Sequence, residues 1–405
     1  MILSLYRNAY GGLSRESWLL TAVIFINRAG AMVVPFLSVY LTEGLGLHIK
    51  QVGILLSVYG MGAMVGNCIG GWLTDKIGHF KVQLCSFLLV AVWLIVMLWV
   101  QRFEFLVGGL FLLSALTECL SPATAAAVSS YSPPQNIIRA FSLNRLAMNL
   151  GFSIGPALGG ILAMVSYQLL FVVDSLTCIA AGALFYFLFR QRQDSVGPET
   201  EPTQPATVAP ESHSERSPYR DGLFLLFIAL CCCFLISFSQ VFTTMPLYWH
   251  QVYSLSKMEI GALLALDGLI VCLMEMIIVY LIGNRPAPWK MIVSGLSLMA
   301  LAFLLLNLAH GLPVLILSIL LFGLSEILSL PFIASLTARR SGPKNLGAYM
   351  GLYTLAYSAA YIVGPLAGTT LIDSFGFGTL WASAGALCMV TAGGLFLVVR
   401  RLQMS

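Results

Sequence analysis

With 59% hydrophobic residues, 9% charged residues and a mean hydropathy of +0.89, the 405-residue chain falls far below the roughly 25% charged residues of soluble domains and cannot cover itself with polar surface in water. Its formal net charge of +4 is scattered between apolar runs and not gathered into one basic patch, which excludes a nucleic-acid partner. The composition is that of a protein embedded in a lipid bilayer.

Apolar runs of about 20 residues, each enough for one crossing, divide the chain into twelve expected spans. The first six cover about 18 to 41, 51 to 73, 82 to 100, 105 to 129, 138 to 165 and 168 to 189. The second six cover about 222 to 249, 258 to 283, 289 to 308, 312 to 337, 346 to 372 and 377 to 399. The first run is long enough to span and lacks a small-residue cleavage site, so it reads as the first helix and not as a signal peptide. Between the sets, Gln191 to Arg220 is rich in proline and acidic residues without apolar periodicity, the composition of a solvated linker. The expected organisation is a six-helix bundle over 1–190, a linker over 191–220 and a second six-helix bundle over 221–405.

Lysine and arginine fall unequally on the two sides. Arg7, Arg15, Lys76, Lys81, Arg139, Arg190, Arg192, Arg216, Arg220, Arg285, Lys290, Arg339, Arg340, Lys344, Arg400 and Arg401 collect on one side; Lys50, Arg102 and Lys257 stand on the other. Both termini are therefore expected in the cytoplasm of a multi-pass plasma membrane protein, with the bacterial inner membrane the expected location. The nine cysteines lie in apolar segments without metal-ligand spacing and read as small buried hydrophobes. The five histidines fall in expected loops or the linker, which leaves no intramembrane cluster to ligate a metal. No metal and no cofactor is expected, and no nucleotide-binding loop or catalytic triad is present to make the chain an ATP-driven pump or an enzyme.

A repeat relates the two halves. Gly151–Gly160 reads GFSIGPALGG and Ala360–Gly368 reads AYIVGPLAG, with Pro156 and Pro365 209 residues apart. Pro122 and Pro331, Pro134 and Pro343, Asn136 and Asn345, Gly155 and Gly364, and Gly159 and Gly368 keep that offset, and Glu118 and Glu326 stand 208 apart. Two related halves with a site between them follow. Glycines four apart make a flat stripe for close backbone approach, and the proline removes one helix hydrogen bond.

Ionised side chains inside a bilayer are costly and face a cavity or a partner. Arg28 lies in span one, Glu118 in span four, Arg145 in span five, Asp267 and Glu275 in span eight and Glu326 in span ten. Glu118 and Glu326 are candidate proton carriers or cation binders, with a structural ion pair to Arg28 or Arg145 as the alternative. Arg145 sits on an expected packing helix, and Glu275 is expected nearer the cytoplasmic end and solvated. Asp174, in span six, reads as a local helix-terminus or packing group. Phe238, Phe242, Met245, Tyr248 and Trp249 of span seven read first as core or lipid-facing residues and second as an adaptable wall for substrate.

The loop after span two reads Gly71–Lys81, GWLTDKIGHFK. Gly71, Asp75, Lys76 and Gly78 match the loop signature of the major facilitator superfamily, while His79 and Phe80 replace two basic residues usual there. The equivalent loop around Gly283 to Lys290 keeps no such pattern. Gly151, Gly155, Pro156, Gly159 and Gly160 match the superfamily's antiporter motif, although Ser142 stands where its longer form has glycine. The chain resembles the twelve-helix drug:proton antiporters of that superfamily along essentially its whole length. The resemblance implies an all-α fold of two pseudo-symmetric bundles, a central cavity lined by Arg28, Glu118 and Glu326, and a gating contact made by Asp75 on a helix terminus or an arginine. A fourth-span arginine common in those exporters is missing, and Glu118 stands in that span.

The reading that follows is a proton-coupled exporter of small amphipathic molecules, working by alternating access as a monomer, with substrate, protons and lipid as its partners. A symporter or facilitator for a nutrient or metabolite is the alternative within transport. A non-transporting receptor or assembly factor is the alternative of another class, disfavoured by charges at pseudo-symmetric positions.

Overall fold

The computed structural model describes residues 13–132, 137–190, 218–282, 287–340 and 346–404, and these are helical with no strands among them. Residues 191–217 of the expected linker, the Pro134–Pro343 and Asn136–Asn345 pairs, and residues 283–286 lie outside the described residues. The first six spans comprise α1 (Arg15–Gly30), α2 (Val33–Val39) with a wider turn Tyr40–Gly44, α3 (Ile49–Ile77), α4 (His79–Met97), α5 (Phe103–Glu118), α6 (Leu120–Ser130), α7 (Ile137–Val165) and α8 (Tyr167–Phe189). The remaining spans comprise α9 (Gly222–Thr243), α10 (Met245–Tyr253), α11 (Lys257–Ile282), α12 (Pro288–Leu308), α13 (Leu312–Arg340) and α14 (Leu346–Met404). Gly376, at φ 81 and ψ 174, breaks α14 into spans eleven and twelve. Ten of the described helices are long and apolar enough to cross a membrane, the unit Ala348–Leu402 among them.

Local chemistry sets the boundaries. Ser14, Ser166 and Asp221 cap α1, α8 and α9 by accepting the backbone N–H of Ser17, Gln168 and Phe224. Three spans are interrupted just ahead of a proline, because Pro35, Pro122 and Pro246 have no N–H to return to the carbonyls of Ala31, Glu118 and Phe242. The breaks fall at Ala31–Met32, Cys119 and Thr244. Pro156, Pro331 and Pro365 sit inside helices that continue past them.

The chain forms two compact units, Met1–Val34 with Gly62–Val208 and Pro35–Met61 with Ala209–Ser405. In the first unit α1 packs on α7 and α8, and α4 packs on α8. Its core stacks Phe80 on Phe185 at 5.2 Å and Tyr131 on Phe189 at 4.6 Å. Lipid offers no hydrophobic drive for helix association, so close backbone approach matters. A Cβ on Gly62, Gly66 or Gly70 of α3 would strike the backbone of Phe111, Ala115 or Cys119.

In the second unit α9 packs on α14, α12 on α13 and α14, and α11 on α13. Tyr248, Phe303, Phe322, Phe377 and Trp381 form an aromatic core, with Phe303 stacked on Trp381 at 5.6 Å. Met245, Tyr248 and Trp249 are fully buried there, which makes them core and not a substrate wall. The hairpin 35–61 also belongs to this unit. A Cβ on Gly53 or Gly60 would collide with Thr369 or with the Tyr361 backbone of α14. At the hairpin tip, Asp373 pairs with Lys50 at 2.7 Å and His48 at 3.1 Å, and Glu43 pairs with Lys257 at 3.2 Å and His250 at 3.3 Å.

Candidate functional site

The glycine–proline repeat performs the same packing task in each unit. In the first, a Cβ on Gly151 would sit 2.6 Å from Arg28 Cβ, and one on Gly155 would sit 3.3 Å from the carbonyls of Arg28 and Ala31. The stripe therefore seats α7 against the last turn of α1, immediately before that span breaks; Pro156, Gly159 and Gly160 are buried on the same helix. In the second, Gly364 and Gly368 of α14 abut Ser239 and Gln240 of α9, again just before a break. Gln240 is buried, donates to the Gly364 carbonyl at 2.9 Å and accepts from Thr244 Oγ1 at 2.9 Å, so it ties the break to the repeat.

The interrupted first span is held from α8. Asp174 is buried and its Oδ2 accepts the N–H groups of Met32 and Val33 at 3.3 and 3.5 Å. It is the helix-terminus group that the sequence led us to expect. Arg28 is half-buried one turn earlier and lies within electrostatic reach of Asp174.

Glu118 closes α5 at the Pro122 break and is half-buried. Its Oε2 accepts from Asn67 Nδ2 at 3.2 Å, on the glycine-bearing face of α3, so a neutral amide faces it. No ion pair of Glu118 with Arg28 or Arg145 occurs among the described residues, and Arg145 is exposed on α7. In the second unit Asp267 of α11 is 4% exposed, and its Oδ1 has no hydrogen-bond partner among the described residues. That oxygen lies against Gly323 of α13, one turn before the half-buried Glu326. Glu326 is within electrostatic reach of Tyr357, which stands edge to face with Tyr353 at 5.3 Å. Glu275 is buried at 9% exposure, against the expectation that it would be solvated, because α11 turns this position towards protein.

Of the loop motif, Gly71 and Asp75 with Lys76 lie on the last turns of α3, and Gly78 at φ 84 makes the turn into α4. Lys76 Nζ lies 4.1 Å over the Trp72 ring. Asp75 is exposed and has no hydrogen bond or ion pair among the described residues.

Two features went unread in the sequence. Tyr349, Tyr353, Tyr357 and Tyr361 recur every four residues on α14, a spacing visible in the chain. Asp221 joins the starts of α9 and α14 to the end of α13: it accepts from Phe224 N at 3.1 Å, Arg340 Nε at 2.9 Å and Tyr349 OH at 3.3 Å. Burial pushes its carboxyl up, but the Arg340 and Phe224 bonds and the guanidinium charge outweigh that and hold it below the usual carboxylate range.

Two apolar units, with buried acids beside broken helices and a repeated glycine–proline segment, are matched over residues 18–323 and 288–404 by the sequence model of the Major Facilitator Superfamily. The chain belongs to the Major Facilitator Superfamily. This MFS transporter is 22% identical over 382 residues to an uncharacterized MFS-type transporter, YttB, of Bacillus subtilis, covering 94% of each chain. It is 22% identical to a Na(+), Li(+), K(+)/H(+) antiporter of Planococcus maritimus, covering 92% of each. It is 28% identical over 168 residues to the quinolone resistance protein NorA of Staphylococcus aureus, covering 39% of this chain and 41% of NorA. Its fold matches a POT family transporter solved with 5-aminolevulinic acid at a TM-score of 0.83 and 15% identity, over 97% of this chain and 98% of that one.

Proposed function

We propose that this MFS transporter is a proton-coupled exporter of small amphipathic molecules, alternating access between two six-helix halves and working as a monomer with both termini in the cytoplasm of the bacterial inner membrane. The observation that carries the coupling is Glu118, a half-buried acid at a helix break whose partner is the neutral Asn67 amide at 3.2 Å. Acids inside a bilayer mark ion pathways and proton relays, and Glu118 has no ion pair among the described residues that would reserve it for a structural role. The antiporter relative supports exchange against protons, and the quinolone resistance relative supports a small organic substrate. The substrate class rests on Tyr357 of α14, within electrostatic reach of Glu326 and edge to face with Tyr353, because aromatic ring faces attract cationic and apolar groups alike.

In this cycle Glu118 takes a proton from the outer side, the halves rock, and the proton leaves to the cytoplasm while substrate moves out. Asp267 and Glu326 are further acids on the path, and Arg28, held at the last turn of α1 by Gly151, presents a fixed cation. Gly71, Asp75, Lys76 and Gly78 form the cytoplasmic turn, and Asp75 favours one closed state through a helix terminus or an arginine.

Two experiments test the reading. A cysteine placed between Pro198 and Pro218 is labelled by an impermeant maleimide only from the cytoplasmic side; labelling on intact cells reverses the orientation. In vesicles with an imposed pH gradient, a panel of amphipathic substrates accumulates against its gradient when protons flow the opposite way. Accumulation with the proton flow makes the protein a symporter, gradient-independent equilibration makes it a facilitator, and no flux for the panel removes the export reading.

A further inference from the structure

The start of α12 and the end of α14 meet at a cluster of cations and aromatic rings outside the transport site. Trp289 and Phe396 are half-buried and stand edge to face with ring centroids 5.1 Å apart. Lys290 Nζ lies 5.6 Å from the centre of the Trp289 ring, and the Arg400 guanidinium lies 6.0 Å from that ring and 5.2 Å from the Phe396 ring. Lys290, Arg400 and Arg401 are exposed, and none of their side chains has a hydrogen bond or ion pair among the described residues. Aromatic faces attract a guanidinium and spare its N–H donors for a bidentate anion. At the 209-residue repeat offset, Phe80, Lys81 and Phe187 hold the places of Trp289, Lys290 and Phe396 in the first unit. There Phe80 is buried on Phe185, and Arg190 meets Tyr186 and Phe187, rings of its own helix, at 5.8 Å each. The first unit thus buries the ring with which the second gathers cations from two helices.

We propose that this cluster binds the phosphate of an anionic phospholipid such as phosphatidylglycerol, whose headgroup carries no ammonium of its own, and that the lipid bridges α12 to α14 at the membrane surface. Arginine grips phosphate through paired N–H donors and lysine as a point charge, and a basic pocket between spans at the bilayer surface suits an acidic headgroup. The amino end of α12, where Ala287 supplies no side-chain cap, adds a partial positive charge beside Lys290. An acyl chain has a track leading away from there. Val390, Gly393, Leu397 and Arg400 share one face of span twelve at helical spacing. Val390 and Leu397 are 71% and 60% exposed, and a Cβ on Gly393 would meet nothing within 4 Å. The glycine leaves a notch in an apolar ridge, about 10 Å from Arg400 along the helix axis. Hydrocarbon fits that notch, and free phosphate gains nothing from it.

Lipid binding is read without substrate or gradient, so it stands or falls apart from the exporter reading. Full-length protein, stripped of lipid in a neutral detergent, is titrated with phosphatidylglycerol or phosphatidylcholine, and the bound lipids are counted by native mass spectrometry. The first phosphatidylglycerol binds more tightly than phosphatidylcholine. Each surface cation is worth about fivefold in affinity for an anionic lipid. Lys290→Gln and Arg400→Gln therefore each weaken the first phosphatidylglycerol by about fivefold, and the pair by about twenty-five-fold, with phosphatidylcholine unchanged.

Arg190→Gln, which removes a cation from the end of span six, leaves the first phosphatidylglycerol in place. Gly393→Leu weakens phosphatidylglycerol but not its dihexanoyl form, whose chains stop short of the notch. Thermal melts separate lost binding from lost fold: the double variant melts with the native protein in phosphatidylcholine and lacks the rise that phosphatidylglycerol gives the native chain. Equal binding of the two lipids, native affinity in the double variant or in Gly393→Leu, or an equal loss in Arg190→Gln overturns the proposal. So does displacement of phosphatidylglycerol by millimolar inorganic phosphate, which makes the cluster a phosphate site and not a lipid site.

Discussion

Replacing Asp221 isolates what holds one end of the second unit. The carboxylate is 7% exposed and serves three bonds at once: the cap of α9, the Arg340 guanidinium and the Tyr349 hydroxyl. The equivalent end of the first unit uses uncharged groups, with Ser14 bonded to the Tyr131 carbonyl and Ser17 to Ser132. Asp221→Ala removes a cap, about 1 kcal/mol, and a charge-assisted hydrogen bond, about 1.5–3 kcal/mol, while leaving Arg340, at 14% exposure, without that carboxylate. The loss is about 3–4 kcal/mol, within the range for breaking a buried pair, and lowers the melting temperature by on the order of 10 °C. Asp221→Asn keeps the cap and the shape and loses about half as much. The pH dependence has a fixed sign. A carboxyl held below its usual value contributes fully above about pH 4, the ordinary carboxylate pKa, and loses its contribution as pH falls through the depressed value. Thermal melts in detergent followed by intrinsic tryptophan fluorescence should therefore show a constant gap between native and Asn proteins from pH 7 to 5, closing below about pH 4. Equal melting of the native and Ala proteins at pH 7 would refute the reasoning.

Asp75→Asn removes the charge proposed to hold the cytoplasmic turn, so vesicle transport falls while membrane insertion, read by blotting, is retained; undiminished transport reduces Asp75 to an ordinary loop residue. Gly66→Val drives a side chain into the Ala115 backbone, and overpacking of this kind costs about 1–3 kcal/mol. It also displaces Glu118 from Asn67, so both the melting temperature and coupled transport drop, and a native profile contradicts the packing account. Asp267→Asn replaces a buried carboxylate oxygen that has no described partner, leaving stability equal or raised by about 1 kcal/mol, while pH-driven accumulation falls; a destabilised protein would show that the carboxylate has a structural partner.

Much of the fold was legible because lipid imposes a length on every span and because glycine and proline mark backbone requirements directly. The twelve spans, the glycine–proline repeat and the role of Asp174 at a helix terminus all came from such local signals. Breaks ahead of Pro35, Pro122 and Pro246, against unbroken helices at Pro156, Pro331 and Pro365, were not separable in sequence, since tertiary packing decides whether the freed carbonyl opens the helix. Long-range partners were invisible for a different reason. Glu43 and His250, or Asp221 and Arg340, meet only after folding, and nothing in either local sequence announces the other. Glu275 looked solvated from its place along the span, and its burial follows from which way α11 faces. Tyr248 and Trp249 could line a path or fill a core by spacing alone, and the burial of both, with the Trp381 ring edge-on to Tyr248, decides for the core.

The most direct test of the account is pH-driven transport by Glu118→Gln in sealed vesicles. Glutamine retains the shape and hydrogen bonding of the protonated acid, including an acceptor for Asn67 Nδ2, but cannot release a proton. The account predicts that the variant binds substrate and exchanges it down its own gradient at a native rate, yet fails to concentrate it when a pH difference is imposed. Full proton-driven accumulation by Glu118→Gln would contradict the account and move the coupling to Glu326 or Asp267.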